Sequence, residues 1–173
     1  ACADSTSAAQ DAFLEIAIVT CPNAIDDGSF NEDNYNGILN FIAFRGGIDK
    51  VTPVQVPVSD ASDAVGTVAD IVADYDVLVC AGFQFAGIGT IAEENQDKDF
   101  ILVDVFPVND KGAEVELDNV YAMQFADQES GFFAGVAAAM STQSGKVAEV
   151  NGEVCSSNLN YQFGFESGVN YAN

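Results

Sequence analysis

Residues 21–31 (CPNAIDDGSFN) connect a predicted strand to a predicted helix, and this junction decides the fold class. Residues 14–20 before it form an almost unbroken apolar run, which is typical of a parallel strand covered on both faces. Ser29 and Glu32 have the spacing of a capping box, which predicts a helix beginning near residue 30. The junction therefore lies at the carboxyl end of a strand, where the loops of open α/β sheets bind ligands.

Polar and aromatic side chains in this junction have the chemistry of a ligand site. Asp27 and Asn31 can hydrogen-bond a polar heterocycle or a sugar, and Phe30 offers a ring for stacking. Each also has a structural explanation. Asp27 suits the positive end of a helix dipole, Asn31 can satisfy backbone groups, and Phe30 can be a core aromatic. The spacing alone leaves both roles open.

Strand and helix patterns alternate along the chain. Strands are predicted at residues 14–20, 51–57, 76–81, 100–105, 120–125 and 146–151, and helices at 30–45, 60–74, 84–95, 129–142 and 158–171. Alternation of this kind predicts an α/β fold with a doubly wound parallel sheet, in which the first strand is central.

The order of these elements predicts two lobes. Residues 1–12 are small and polar, as in a flexible tether, and residues 13–125 supply enough strands for one α/β lobe. Residues 126–173 are expected to form a hinge crossing and part of a second α/β lobe. Their single strand cannot complete a sheet, because its hydrogen-bonding edges would stay open. We therefore expect either a fragment of a two-lobe protein or completion by another copy.

Composition excludes several function classes. The 173 residues include 27 acidic and 5 basic side chains, a net charge of −22, which repels phosphate backbones and anionic lipid headgroups. The same charge disfavours nucleotides relative to uncharged nucleosides. The absence of histidine excludes His-based general bases, Ser-His and Cys-His nucleophile pairs, and His-ligated metal sites. The apolar stretch at residues 132–140 is too short to span a membrane.

Two further candidate residues follow later strands. Phe83 comes directly after Gly82 at the end of the third predicted strand, and we prefer it to Phe85 as a stacking residue. Residues 82–89 lack the GxGxxG spacing of a dinucleotide site. Asp104 ends an apolar strand, where a carboxylate is costly to bury without partners and therefore tends to have a role. A carboxylate there can accept two hydrogen bonds from a ribose diol.

Five motifs occur in the order found in one known family. They are IDDGSFN at residues 25–31 with YNG at 35–37, VLVCAGFQF at 77–85, FILVD at 100–104, FADQESGFFAGV at 125–136, and GKV at 145–147 followed by FGFESGV at 163–169. Together they resemble the basic membrane protein family of bacterial lipoproteins, which are purine-nucleoside receptors of ATP-binding-cassette (ABC) importers. The resemblance covers nearly the whole chain from residue 13 onward.

The resemblance implies a non-enzymatic substrate-binding protein with the type I periplasmic-binding-protein fold and no cofactor. Such a protein captures a purine nucleoside between two lobes and delivers it to the permease of an ABC importer. By resemblance, Asp104 holds the ribose, and the ligand site is formed by Asp27, Phe30, Asn31, Phe83 and Asp104. The family's lysine and later acidic ligand residues would lie beyond Asn173, so part of the pocket is expected to be missing here.

The four cysteines are expected to play different roles. By resemblance, Cys2 stands where a lipoprotein carries its acylated cysteine, which implies anchoring to the extracytoplasmic side of a bacterial membrane. Cys21 and Cys80 end predicted strands and are expected to be buried free thiols, although a bridge between them is left open. Cys155 follows the last predicted strand.

An enzyme is the alternative interpretation. Asp26, Asp27 and Asp104 could hold a magnesium ion in an α/β phosphotransferase or hydrolase. Of these three residues, Asp26 is expected to face solvent. The chain has no P-loop, no obvious nucleophile–base pair and only five cations to offset a substrate phosphate. A regulatory co-inducer domain is a third option, but no helix-turn-helix pattern precedes the first strand.

Overall fold

The structure is a computed structural model that describes residues 12–56, 61–152 and 154–173. Cys2, and with it most of the predicted tether, lies outside the described residues. The chain divides into two compact units, Ala1–Gln124 and Phe125–Asn173. None of the described helices is both long enough and apolar enough to cross a membrane.

The first unit is built on a five-stranded parallel sheet with the order β2-β1-β3-β4-β5. Its strands are β1 (Glu15–Thr20), β2 (Lys50–Gln55), β3 (Val77–Ala81), β4 (Asp99–Val103) and β5 (Val120–Met123), and its helices are α1 (Phe30–Phe44), α2 (Ala61–Ile71) and α3 (Gly89–Glu94), with 3₁₀ helices at Val72–Asp74 and Phe83–Ile88. The predicted parallel α/β sheet is confirmed. β1 is an interior strand as expected, but β3 occupies the middle position.

Helices cover both faces of this sheet, which explains the two-sided apolar pattern of its strands. On one face, α2 and α3 pack over a core that includes Ala17, Val19, Leu78, Cys80, Phe85, Phe100 and Leu102. On the other face, α1 places Ile38 against Ile16, Ile18, Val79 and Val103. Successive residues of one strand alternate between the two cores, as the period of two in a strand requires.

β2 lies at one edge of the sheet and contains a proline. The N–H groups of Lys50 and Val56 donate to Leu14 and Thr20 carbonyls at 3.0 and 2.8 Å. Since alternate residues of a strand point to opposite sides, Pro53 has its nitrogen on the outer side of β2. The missing N–H of Pro53 therefore removes no bond from the β1–β2 ladder.

A buried ion pair ties the end of α1 to the start of β1. Arg45 Nε donates to Asp49 Oδ2 at 2.6 Å, and Arg45 Nη2 donates to Asp49 Oδ1 at 3.2 Å and to the Ala12 carbonyl at 2.6 Å. The other carboxylate contact is the Leu14 N–H, which donates to Asp49 Oδ1 at 3.0 Å. Hydrogen bonds from Arg45 lower the pKa of the Asp49 carboxyl below its ordinary value; burial opposes them without cancelling their effect.

The second unit contains α4 (Asp127–Ser141) and α5 (Ser156–Ala172). The strand predicted at residues 146–151 is wrong, because these residues pair with no strand in the part of the chain that the structure describes. Val150 is 94% exposed. A strand pattern alone does not make a strand, since each residue also needs a neighbouring chain that completes its hydrogen bonds.

Glycines let the backbones of α4 and α5 touch. A Cβ added to Gly135 would collide with the Phe165 carbonyl, and one added to Gly168 would collide with the Phe132 carbonyl. Gly131 and Gly164 meet the opposite helix in the same way. The contacting residues advance together along both helices, so α4 and α5 run in the same direction.

Candidate functional site

Three adjacent strands end at the same level of the sheet. Thr20 of β1 pairs with Ala81 of β3, and Ala81 pairs with Val103 of β4. The chain leaves β1 toward β2 on one side and returns to β3 on the other, so the strand order reverses between β1 and β3. Open α/β sheets bind ligands in the crevice at such a reversal.

The predicted site residues all follow these three strand ends. Asp27, Phe30 and Asn31 belong to the connection after β1 and to the start of α1. Phe83 begins the 3₁₀ helix after β3, and Asp104 comes directly after β4. The fold thus brings three separated sequence motifs to one edge of the sheet.

Asp27 holds the first turn of α1. Its Oδ1 accepts hydrogen bonds from the N–H groups of Ser29 at 2.9 Å and Glu32 at 3.1 Å, and its Oδ2 accepts one from the Asn31 N–H at 3.3 Å. Ser29 is the N-cap residue by position, but its side chain makes no capping hydrogen bond. The capping role predicted for Ser29 is therefore wrong, and Asp27 satisfies the free N–H groups instead.

The environment of Asp27 favours its charged form. Desolvation raises the pKa of the Asp27 carboxyl, but hydrogen bonds from the backbone N–H groups of Glu32, Ser29 and Asn31 together outweigh it. The net result is a pKa below the ordinary value, because these bonds stabilise the carboxylate. Asp27 therefore presents a negative charge at the crevice at neutral pH.

Asn31 and Phe30 lie beside Asp27 with different exposure. Asn31 is buried, and its Nδ2 donates to the Asn23 carbonyl at 3.0 Å, which closes the loop that precedes α1. Phe30 is 38% exposed, so its ring is available to a ligand. Asp26 is exposed, as its sequence position predicts.

The connection after β3 starts with a glycine in a conformation that side chains rarely adopt. Gly82 has φ +117°, and a Cβ there would lie 2.7 Å from Gln84 Oε1. Phe85 is fully buried in the core, whereas Phe83 is half-buried. Gln84 is a buried polar residue that was not among the predicted candidates. In the sequence, the position of Gln84 between two phenylalanines at a strand end could have indicated a buried polar residue here.

Asp104 has an unusual backbone conformation. Its φ is +69°, and it is the one non-glycine residue with positive φ in the described ranges. Its N–H donates to the Met123 carbonyl at 2.8 Å, which continues the β4–β5 ladder past the end of β4. Residues held in sparsely populated backbone regions cluster at ligand sites, where the surrounding structure imposes the conformation.

Two cysteines near this edge are reduced and buried. No disulfide joins Cys21 and Cys80, and both side chains are thiols. Burial raises the pKa of the Cys80 thiol to about 12, which keeps it protonated at neutral pH. Both side chains belong to the core packed beneath the crevice.

The hypothesis that Asp26, Asp27 and Asp104 together hold a magnesium ion is wrong. Among the described residues, no three carboxylate, cysteine or histidine side chains are close enough together to hold a metal ion. The carboxylate of Asp27 is already occupied by backbone N–H groups.

The chain is similar to known proteins along nearly its whole length. Residues 14–173 match a model of the Bmp family, described as "ABC transporter substrate-binding protein PnrA-like". The chain is 28% identical over 170 residues to the "ABC transporter nucleoside-binding protein BmpA" of Lactococcus lactis subsp. cremoris, covering 96% of this chain and 46% of that protein. It is 29% identical over 152 residues to "Basic membrane protein A" of Borreliella burgdorferi, covering 86% of this chain and 42% of that protein.

Solved structures share the fold. An ABC transporter solute-binding protein from Aeropyrum pernix K1 superposes with a TM-score of 0.73 at 20% identity, over 92% of this chain and 44% of that one. A galactofuranose binding protein gives a TM-score of 0.65 at 17% identity, over 92% and 52% of the two chains. The chain thus has the predicted periplasmic-binding-protein-like fold, and it spans about half the length of the proteins it matches.

The family comprises substrate-binding proteins of ABC transporters and not enzymes, which confirms the non-enzymatic prediction. Because the family model matches almost the whole chain from residue 14 onward, this chain belongs to the Bmp family of PnrA-like ABC transporter substrate-binding proteins.

Proposed function

We propose that the protein carrying this chain captures a purine nucleoside between two lobes and delivers it to the permease of an ABC importer. The observation that carries the proposal is the meeting of Asp27, Phe30, Asn31, Phe83 and Asp104 at three adjacent strand ends. The similarity to the Lactococcus nucleoside-binding protein supports the choice of ligand class.

Each candidate residue has a role that its surroundings allow. Phe30 and Phe83 keep ring surface exposed or half-exposed, which suits stacking on a purine. Asp104 accepts hydrogen bonds from the two ribose hydroxyls, and charge-assisted bonds of this kind are the strong ones. Asn31 and Asp27 contact the base. Asp27 already accepts three backbone hydrogen bonds, so its larger contribution is to fix the start of α1 beneath the base.

The site as a whole requires two lobes and a location outside the cytoplasm. In this proposal the first unit is one lobe, and α4 and α5 of the second unit begin the other. Closure of the two lobes buries the nucleoside, and the closed form is presented to the permease. A lipid on Cys2 anchors the protein to the outer face of the cell membrane.

The test is calorimetric titration of the protein as expressed from its natural gene with adenosine, guanosine and inosine. Asp104→Asn removes the charge but keeps the size of the side chain, and the expected loss is about 1–3 kcal/mol, or roughly 5- to 150-fold in Kd. Asp26→Asn is the matched control, because Asp26 is an exposed neighbour of the site. Unchanged affinity in Asp104→Asn would remove Asp104 from the ribose site. The absence of binding by all three nucleosides would reject the ligand class.

A further inference from the structure

Most of the net charge of the chain lies in the first unit. Residues 1–124 contain 22 acidic and 4 basic side chains, a net charge of −18. Residues 125–173 contain 5 acidic and 1 basic side chain, a net charge of −4. Electrostatic self-repulsion is therefore concentrated in the first unit, and a large net charge destabilises a compact state.

The few cations of the first unit do little to offset this repulsion. The charge of Arg45 is balanced by Asp49 in their buried ion pair. Lys50 lies 3.3 Å from Glu15 and Lys98 lies 3.8 Å from Asp97, and in each pair one partner is exposed and the other half-buried. Exposed pairs of this kind contribute about 0–1 kcal/mol each.

Carboxylates begin three neighbouring strands of the sheet. Asp76 Oδ2 accepts a hydrogen bond from the Glu15 N–H at 2.9 Å at the start of β1. The Asp99 N–H at the start of β4 donates to the Asp76 carbonyl at 2.9 Å. Glu15, Asp76 and Asp99 are therefore neighbours along the amino-terminal edge of the sheet, where Lys50 pairs with Glu15 and the other two carboxylates add negative charge.

The helices of the first unit add unfavourable charges of the same sign. No basic residue occurs in the last turn of α1, α2 or α3. α3 ends with Glu93 and Glu94, and the 3₁₀ helix after α2 ends with Asp74. A carboxylate at the C-terminal end of a helix faces the negative end of its dipole, so these positions are adverse as well.

We infer that the first unit depends on dissolved salt for its stability, whereas the second unit does not. The Debye length falls from about 10 Å at about 0.1 M salt to about 3 Å at about 1 M salt, so repulsion between separated carboxylates disappears over this range. The first unit consequently becomes more stable as salt rises. A chain held together by surface ion pairs would change in the opposite direction.

Hydrogen exchange measured by mass spectrometry on the whole chain separates the two units. Between about 0.1 M and about 1 M NaCl, exchange of the β1, β3 and β4 amides is expected to slow several-fold or more. Exchange of the α4 and α5 amides is expected to change much less. Equal slowing in both units would indicate general salting-out and overturn the inference. Exchange in the first unit that does not change with salt concentration would also overturn it.

A variant tests the charge itself. Four exposed carboxylates are replaced by amides of the same shape, in the variant Asp74→Asn, Glu93→Gln, Glu94→Gln and Asp99→Asn. Its first unit should exchange more slowly than the wild-type unit at low salt, and the gap should close at high salt. The control is Glu129→Gln in the second unit, which should leave the salt response unchanged. A four-site variant that keeps the full wild-type salt response would contradict the inference, even if α4 and α5 exchange too fast to compare.

Discussion

Asp27 accepts a hydrogen bond from the Glu32 N–H across the first turn of α1, and the Glu32 carboxylate in turn bonds the residue that follows Asp27. The Glu32 N–H donates to Asp27 Oδ1 at 3.1 Å, and Glu32 Oε2 accepts a hydrogen bond from the Gly28 N–H at 3.0 Å. The two carboxylates together satisfy N–H groups that a helix start otherwise leaves free. A residue proposed to contact the ligand is thus also the residue that fixes the position of the helix.

Replacement of Asp27 should reveal this structural role without any ligand. Asp27→Ala removes the acceptor of three backbone N–H groups, and we expect the Tm to fall by several degrees. Ser29→Ala is the control and should be nearly neutral, because the Ser29 side chain makes no capping hydrogen bond. Calorimetry of both variants makes the comparison. A larger fall in Tm for Ser29→Ala than for Asp27→Ala would show that Ser29 caps the helix.

The positive φ and the carboxylate of Asp104 should have separate effects on stability and binding. Asp104→Ala removes the carboxylate and keeps the φ of +69°, so we expect its free energy of unfolding to be about 1 kcal/mol lower than that of Asp104→Gly, which removes the carboxylate and the strain together. Both variants should lose nucleoside affinity, because the carboxylate is gone. Urea unfolding and calorimetric binding measured on one preparation separate the two effects. Equal stabilities of Asp104→Ala and Asp104→Gly would show that the positive φ imposes no strain, and unchanged affinity in both would remove the Asp104 carboxylate from the ligand site.

The ion pair of Asp49 should make stability depend on pH. The pKa of Asp49 is lowered in the folded state, so above its unfolded value of about 3.9 the carboxylate contributes its full stabilisation. That contribution is lost as the pH falls from there through the folded pKa. Urea unfolding of wild type and Asp49→Asn should therefore give a difference that is large near neutral pH and shrinks in acid. A difference independent of pH would show that the charge of Asp49 does not matter.

Replacing glycine by alanine should have opposite effects on stability in α2 and at the contact between α4 and α5. Gly66 in α2 has open space around it, so Gly66→Ala should stabilise the first unit by up to about 1 kcal/mol through helix propensity. Gly135→Ala should instead destabilise the second unit by about 1–3 kcal/mol or more, because its Cβ meets the Phe165 carbonyl. Hydrogen exchange in α2 measures the effect of Gly66→Ala, and hydrogen exchange in α4 and α5 measures the effect of Gly135→Ala. Stabilisation by both variants would show that the two helices are not in backbone contact.

The sheet could be predicted from sequence because its interior strands are apolar on both faces and each of the first three strands is followed by a helix pattern. In residues 14–20, for example, Ile16 and Ile18 pack in one core and Ala17 and Val19 pack in the other. The failure at residues 146–151 has the opposite cause. Their pattern is local, whereas a strand is defined by a partner, and no described segment supplies one.

At the candidate site, residue types could be predicted but not their contacts. Asp27 and Ser29 are both good capping residues two positions apart, and the choice between them depends on the turn at Gly28, whose φ is +67°. The positive φ of Asp104 is likewise set by its neighbours, since its N–H must reach Met123 to extend the β5 ladder. Neither feature leaves a periodic trace in the sequence.

Pro53 has a consequence for how the protein behaves at high concentration. The outer rim of β2 faces away from the rest of the sheet, and an unprotected rim of this kind recruits strands from other molecules into aggregates. With the proline nitrogen on that rim, an incoming strand finds one N–H missing midway along β2 and a ring in its place. The same residue that costs the native sheet nothing thus discourages growth of the sheet beyond its last strand.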